Sequence, residues 1–114
     1  MGSDVFRFRD FTVDAATGLL HRNGIRIALQ PQPAKLLLLL VQRSGHLVSR
    51  DEIRAHIWGD TVVEFDQNIN YCVRQIRTAL GDDDATLVQT VPRQGYRFTL
   101  TPESRSAATR LRPS

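Results

Sequence analysis

Cysteine occurs once in these 114 residues, at Cys72. A single thiol excludes an internal disulfide and a cysteine-based zinc site. It also fits a reducing compartment, and the cytoplasm is the expected location. Long apolar runs are scarce. The longest, Leu36 to Val41, has six residues, whereas a membrane-spanning helix needs about 20. No basic stretch followed by an apolar run opens the chain, so neither a signal peptide nor membrane contact by this segment is expected. His21, His46 and His56 share no ligand spacing, and no metal is assigned to them. No nucleophile elbow, phosphate loop or paired-acid pattern is visible. Catalytic residues, a cofactor and enzymatic activity are therefore not expected.

Acids are missing from two stretches. The chain as a whole carries only +3, with 15 Lys and Arg against 12 Asp and Glu. Much of that excess lies after Pro102, in Arg105, Arg110 and Arg112. Yet residues 67–80 and 87–101 hold four arginines and no carboxylate. Positive charge is thus local, as in the footprint of a polyanion-binding surface.

The rest of the chain supplies a scaffold. Residues 5–8 and 11–13 alternate weakly. Asn23-Gly24 between two apolar runs predicts a two-residue hairpin, because both central positions need positive φ. Residues 5–29 are therefore expected to form an antiparallel sheet of three or four strands, with Ile25, Ile27 and Leu29 on one face. Pro31 and Pro33 end the sheet and start a helix, since a first-turn proline lacks an N–H that would go unpaired anyway. The segment from Pro33 to Ser44 is apolar nearly all round, which predicts the most buried helix, stopped by Gly45. A short strand is expected at His46 to Val48. Ser49-Arg-Asp-Glu52 is a capping box, opening a second helix from Arg50 to about Trp58. Asp66 is expected to cap a third helix, ended by Gly81, with Asp82-Asp83-Asp84 as a solvated loop. Leu87 to Val91 and Tyr96 to Leu100 should pair across a turn at residues 92–95, with Tyr96, Phe98 and Leu100 facing the core. From residue 101 onward the chain is rich in Ser, Ala and Arg without periodicity. It is expected to be a disordered linker or tail, with more protein following it.

The third helix, from Gln67 to Leu80, divides at about 100° per residue. Ile69, Val73, Ile76 and Leu80 fall on one stripe, with Cys72 at its edge as a small semi-buried hydrophobe. Gln67, Tyr71, Arg74 and Thr78 fall opposite, flanked by Asn70, Gln75 and Arg77. Amides and arginine read base edges in a DNA major groove, and arginine also binds phosphate. Arg93 and Arg97 on the hairpin add a basic ribbon. A helix to insert and a ribbon beside it predict a winged helix-turn-helix, in the α+β class.

Together these elements resemble the OmpR/PhoB-type winged-helix DNA-binding domain. They are most similar to the CadC- and ToxR-like branch, in which the domain is N-terminal. The residues carrying the resemblance are Ser49-Arg-Asp-Glu-Ile53, Trp58-Gly-Asp60, Asn68-Ile69, Val73-Arg-Gln-Ile-Arg77, Ala79-Leu-Gly-Asp82, Val88-Gln-Thr-Val91 and Gly95-Tyr-Arg-Phe98. The resemblance covers residues 5–100. It implies a bacterial transcription regulator, akin to two-component regulators, that binds double-stranded DNA. Residues 50–58 would position the domain, 67–80 would lie in the major groove, and the 92–95 wing would reach the adjacent minor groove or backbone. Positions implied to touch DNA are Gln67, Asn70, Tyr71, Arg74, Gln75, Arg77, Arg93 and Arg97. The outward face adds Thr78. The loop at residues 59–66 is the one implied to face RNA polymerase, and tandem dimers on direct repeats are implied as well. Gln75 stands where the family often has Arg, so adenine is as open a partner as guanine. Cys72 replaces a position that is often polar.

Plainer readings compete. Arg74 and Arg77 on an isolated helix would be solvated side chains, and Arg97 would brace the hairpin. The near-neutral charge and the apolar loop residues Val62, Val63 and Phe65 also fit a winged-helix protein-interaction module that does not bind DNA.

Overall fold

A computed structural model describes residues 4–59, 65–82, 85–100 and 103–106. The side chains of residues 4, 65–67 and 103–106 are outside that description. The first strands are β1 (Asp4–Phe8), β2 (Phe11–Asp14), β3 (Leu20–Arg22) and β4 (Ile25–Ile27). Asn23 and Gly24 both take positive φ, 53° and 82°, which closes the β3–β4 hairpin as the dipeptide predicts. Leu20 is buried opposite Ile27. Ile25 was expected to share the inner face, but it is 72% exposed. It pairs with Arg22 at the end of the hairpin, and the core does not extend that far.

Helix α1 (Pro31–Gln42) begins two residues earlier than expected, with Pro31 at its first position. Leu36, Leu37, Leu39, Leu40 and Val41 are all buried. Strand β5 (Val48–Ser49) leads into α2 (Arg50–Ile57), and the Ser49/Glu52 capping box is complete in both directions. Arg43, just past α1, forms an ion pair with Glu52 of α2. Helix α3 (Phe65–Leu80) begins before Asp66, so Asp66 lies in its first turn and not at the expected position ahead of it. Ile69, Cys72, Val73, Ile76 and Leu80 are buried, as the periodicity requires.

The hairpin comprises β6 (Val88–Val91) and β7 (Gly95–Phe98), and β7 also pairs with β5. Gly95 is required where β5 crosses, because a Cβ there would stand 2.0 Å from the Val48 carbonyl oxygen. Phe98 carries the hairpin onto the first sheet, with its ring edge-on to Phe8 at 5.0 Å. Tyr96 and Phe98 are buried and Leu100 packs beside them, as alternation predicts.

Two further expectations changed. Residues 103–106, expected within a disordered tail, form β8 (Glu103–Ser106), antiparallel to β1, giving a sheet ordered β4-β3-β2-β1-β8. Asp82, expected in a solvated loop, is only 4% exposed. Its carboxylate accepts from the N–H groups of Thr86, Leu87 and Val88 at 2.9–3.1 Å. These N–H groups need an acceptor where α3 turns into the hairpin, and Asp82 supplies it. Among the described residues, no helix is long and apolar enough to cross a membrane.

Candidate nucleic-acid interface

The outward face of α3 is set by the burial of its opposite stripe. With Ile69, Val73, Ile76 and Leu80 in the core, the 100° step leaves Tyr71, Arg74 and Thr78 facing solvent. All three are exposed, Tyr71 at 40%. Gln75 is partly buried on one flank, and Asn70 and Arg77 lie on the other. Gln67 belongs to the helix, but its side chain is outside the described residues.

The Asn70 flank meets the hairpin. The hydroxyl of Tyr96 donates to Asn70 Oδ1 at 3.1 Å. Arg77 donates through Nε and Nη2 to the Val88 carbonyl at 3.2 and 2.7 Å, and through Nη2 to Thr90 Oγ1 at 2.8 Å. Between helix and hairpin lies an open cleft of about 480 Å³, lined by Asn70, Arg74, Arg77, Thr78, Thr90 and Tyr96 among others. Asp82 also lines it, buried, with its carboxylate accepting from the N–H groups of Thr86, Leu87 and Val88.

The Gln75 flank meets the start of α1. Arg26, Ala28, Leu29, Gln30 and Gln75 line a second cleft there. Arg93 sits exposed at the hairpin tip in the left-handed region, with φ of 68°. Arg97 does not join this surface. It alternates to the hairpin face opposite Tyr96 and donates to Gln89 Oε1, its cross-strand neighbour.

The structure thus gathers Asn70, Arg74, Arg77 and Thr78 around one cleft, with Tyr71 beside them and Gln75 on the far flank. Thr90, the Tyr96 hydroxyl, Arg26 and Gln30 also line these clefts and were not expected from the sequence. Both clefts lie between elements distant in sequence, which local periodicity does not reveal. Cys72 is fully interior, and burial pushes its thiol up to about 11, so it stays protonated at neutral pH. Residues 60–64, the centre of the loop expected to face polymerase, lie outside the described residues. That stretch also includes Val62 and Val63, part of the basis for the protein-interaction reading.

The family described as "Transcriptional regulatory protein, C terminal" matches residues 24–98. The transcriptional activator CadC of Escherichia coli K12 is 29% identical over 101 residues, covering 86% of this chain and 20% of CadC. The chain therefore spans about a fifth of that relative's length. The solved DNA-binding domain of E. coli CadC superposes with a TM-score of 0.72 at 26% identity, covering 93% of this chain and 99% of that domain. The DNA-binding domain of Klebsiella pneumoniae RstA, solved in complex with the RstA box, shares the fold with a TM-score of 0.70 at 24% identity, covering 83% of this chain and 96% of that one.

Proposed function

We propose that this chain, which belongs to the family of transcriptional regulatory protein C-terminal domains, binds double-stranded DNA as the DNA-binding domain of a bacterial transcription regulator. One observation carries the reading. Among the described residues, the exposed side of α3 presents Tyr71, Arg74 and Thr78 without a carboxylate, beside a hairpin whose tip exposes Arg93. Phosphate contacts from Arg74 and Arg93 would supply most of the affinity. Asn70, Tyr71, Gln75 and Thr78, with Gln67, would meet base edges. Arg97, bonded to Gln89, would brace the hairpin.

The binding unit on this reading is residues 5–100, and it has no catalytic role. Its place of action is the cytoplasm. Partner contacts follow the family resemblance: RNA polymerase through residues 59–66, and tandem copies on direct repeats.

The test is Arg74→Ala, with binding measured across a salt series on a duplex selected from random DNA. Losing one charge-assisted phosphate contact should weaken binding about tenfold and reduce the log-log salt slope by about one. Unchanged affinity and slope would remove Arg74 from the interface. Failure of the unaltered chain to bind any duplex at low salt would favour a protein-interaction module.

A further inference from the structure

We infer that Arg77 is a positioning residue, which fixes the wing to the recognition helix through its bonds to strand β6. The inference rests on the DNA-binding reading for its functional consequence, but not for its geometry. The geometry centres on Val88. Strand β6 is an edge of its sheet, so alternate residues turn both backbone groups away from β7. Thr99 N–H reaches the Leu87 carbonyl, so Leu87 faces the partner strand and Val88 faces outward. Val88 is wholly buried, and an unpaired peptide group there would be costly.

Both outward groups of Val88 are taken by charged side chains at the end of α3. Its N–H donates to Asp82 Oδ2 at 3.0 Å. Its carbonyl accepts the Arg77 fork at 3.2 and 2.7 Å. The root of the wing is therefore held by an acid on one side and a base on the other. A third Arg77 bond reaches Thr90, two residues nearer the tip. Two helical turns earlier, on the same flank, Asn70 holds Tyr96. The wing is thus tied to α3 on both strands.

This arrangement separates Arg77 from Arg74, three residues earlier. Arg74 is exposed, while Arg77 is partly buried with three N–H···O contacts inside the protein. A guanidinium has five N–H donors in a fixed plane. A phosphate contact that drew Nε and Nη2 away would abandon the Val88 carbonyl. Lysine has no such fork, although it would serve as well as a point charge for phosphate.

The experiment compares Arg77→Lys and Arg77→Met in the 114-residue chain, measuring duplex affinity and amide hydrogen exchange of the free protein. Both variants should lose affinity, by about tenfold, and both should speed exchange at residues 88–98 by about tenfold or more. Amides of α1 should stay protected. Binding restored by Arg77→Lys alone would mean a direct phosphate contact and would overturn the inference, as would unchanged hairpin exchange in both variants. Should either variant unfold, Thr90→Val removes only one bond of the clamp. It should raise exchange around the tip and leave α1 unchanged, and identical exchange to the unaltered chain would again overturn the inference. If no duplex binds even the unaltered chain, the DNA-binding reading fails, while the exchange data still decide whether Arg77 holds the wing.

Discussion

Helices α1 and α3 pack against each other and are built on opposite plans. The centre of α1 is leucine nearly all round, with no side-chain cap, no acid in its first turn and no base in its last. Its order comes from burial. Helix α3 buries one stripe and leaves a polar side facing solvent, with Arg74 and Thr78 exposed. On the proposed function, one helix is scaffold and the other is both scaffold and working surface. The difference should divide the effects of substitution: changes in α1 should fall on stability, and changes on the outer side of α3 on binding.

The largest effect should come from Leu40→Ala. Leu40 is wholly buried, and truncating such a leucine costs about 2–5 kcal/mol. Domains of this kind are stable by only about 5–15 kcal/mol. The melting temperature should fall by more than about 8 °C. Thr78→Ala, on the outer side of α3, should shift it by no more than about 3 °C. Similar shifts in both variants, measured by thermal unfolding, would erase the division between the two helices.

Gly95→Ala sharpens the comparison from the hairpin side. The new methyl would stand 2.0 Å from the Val48 carbonyl oxygen, so β5 or β7 must move. Overpacking of this kind costs about 1–3 kcal/mol. The strain falls where β5 pairs with β7 and where Arg50 N–H reaches the Gln94 carbonyl. Gly95→Ala should therefore weaken duplex binding as well as lower the melting temperature. Binding unchanged at a temperature where the variant is fully folded would show that the wing tolerates displacement.

Local patterns in the chain carried the elements well and their long-range partners poorly. The capping box at Ser49, the Asn23-Gly24 turn and the α3 stripe each depend on residues within a few positions of one another, so spacing reveals them. The outward positions of Tyr71, Arg74 and Thr78 follow from the same helical step. What spacing hides is the partner across the fold. Arg77 looks like any solvated arginine until Val88, eleven residues on, turns its carbonyl toward it. Asp82 sits in a run of three acids, and only the folded turn brings three backbone N–H groups to its carboxylate. Residues 103–106 have no alternation to mark a strand, and their partner β1 lies about a hundred positions away. Ile25 keeps the alternation of its strand, yet it falls where the core has ended.

The smallest predicted effect lies between α1 and α2, where Arg43 meets Glu52. The Ser49 N–H, and after it the Arg43 side chain, keeps the Glu52 carboxyl below its ordinary value of 4.5. A carboxylate with a depressed folded-state pKa adds stability that is present above the unfolded value and lost as pH falls through the folded one. Glu52→Gln keeps the shape and still accepts the Ser49 N–H, so it removes the charge and little else. At pH 7 the unaltered chain should melt slightly above the variant. The group is partly exposed, so the gap should be small. It should narrow below pH 4.5 and close once Glu52 is protonated in the folded state. A gap that stays constant from pH 7 to strongly acidic conditions would mean that the charge of Glu52 does not help to join α1 to α2. The α1 scaffold would then rely on burial alone for its attachment to the rest of the helix-turn-helix.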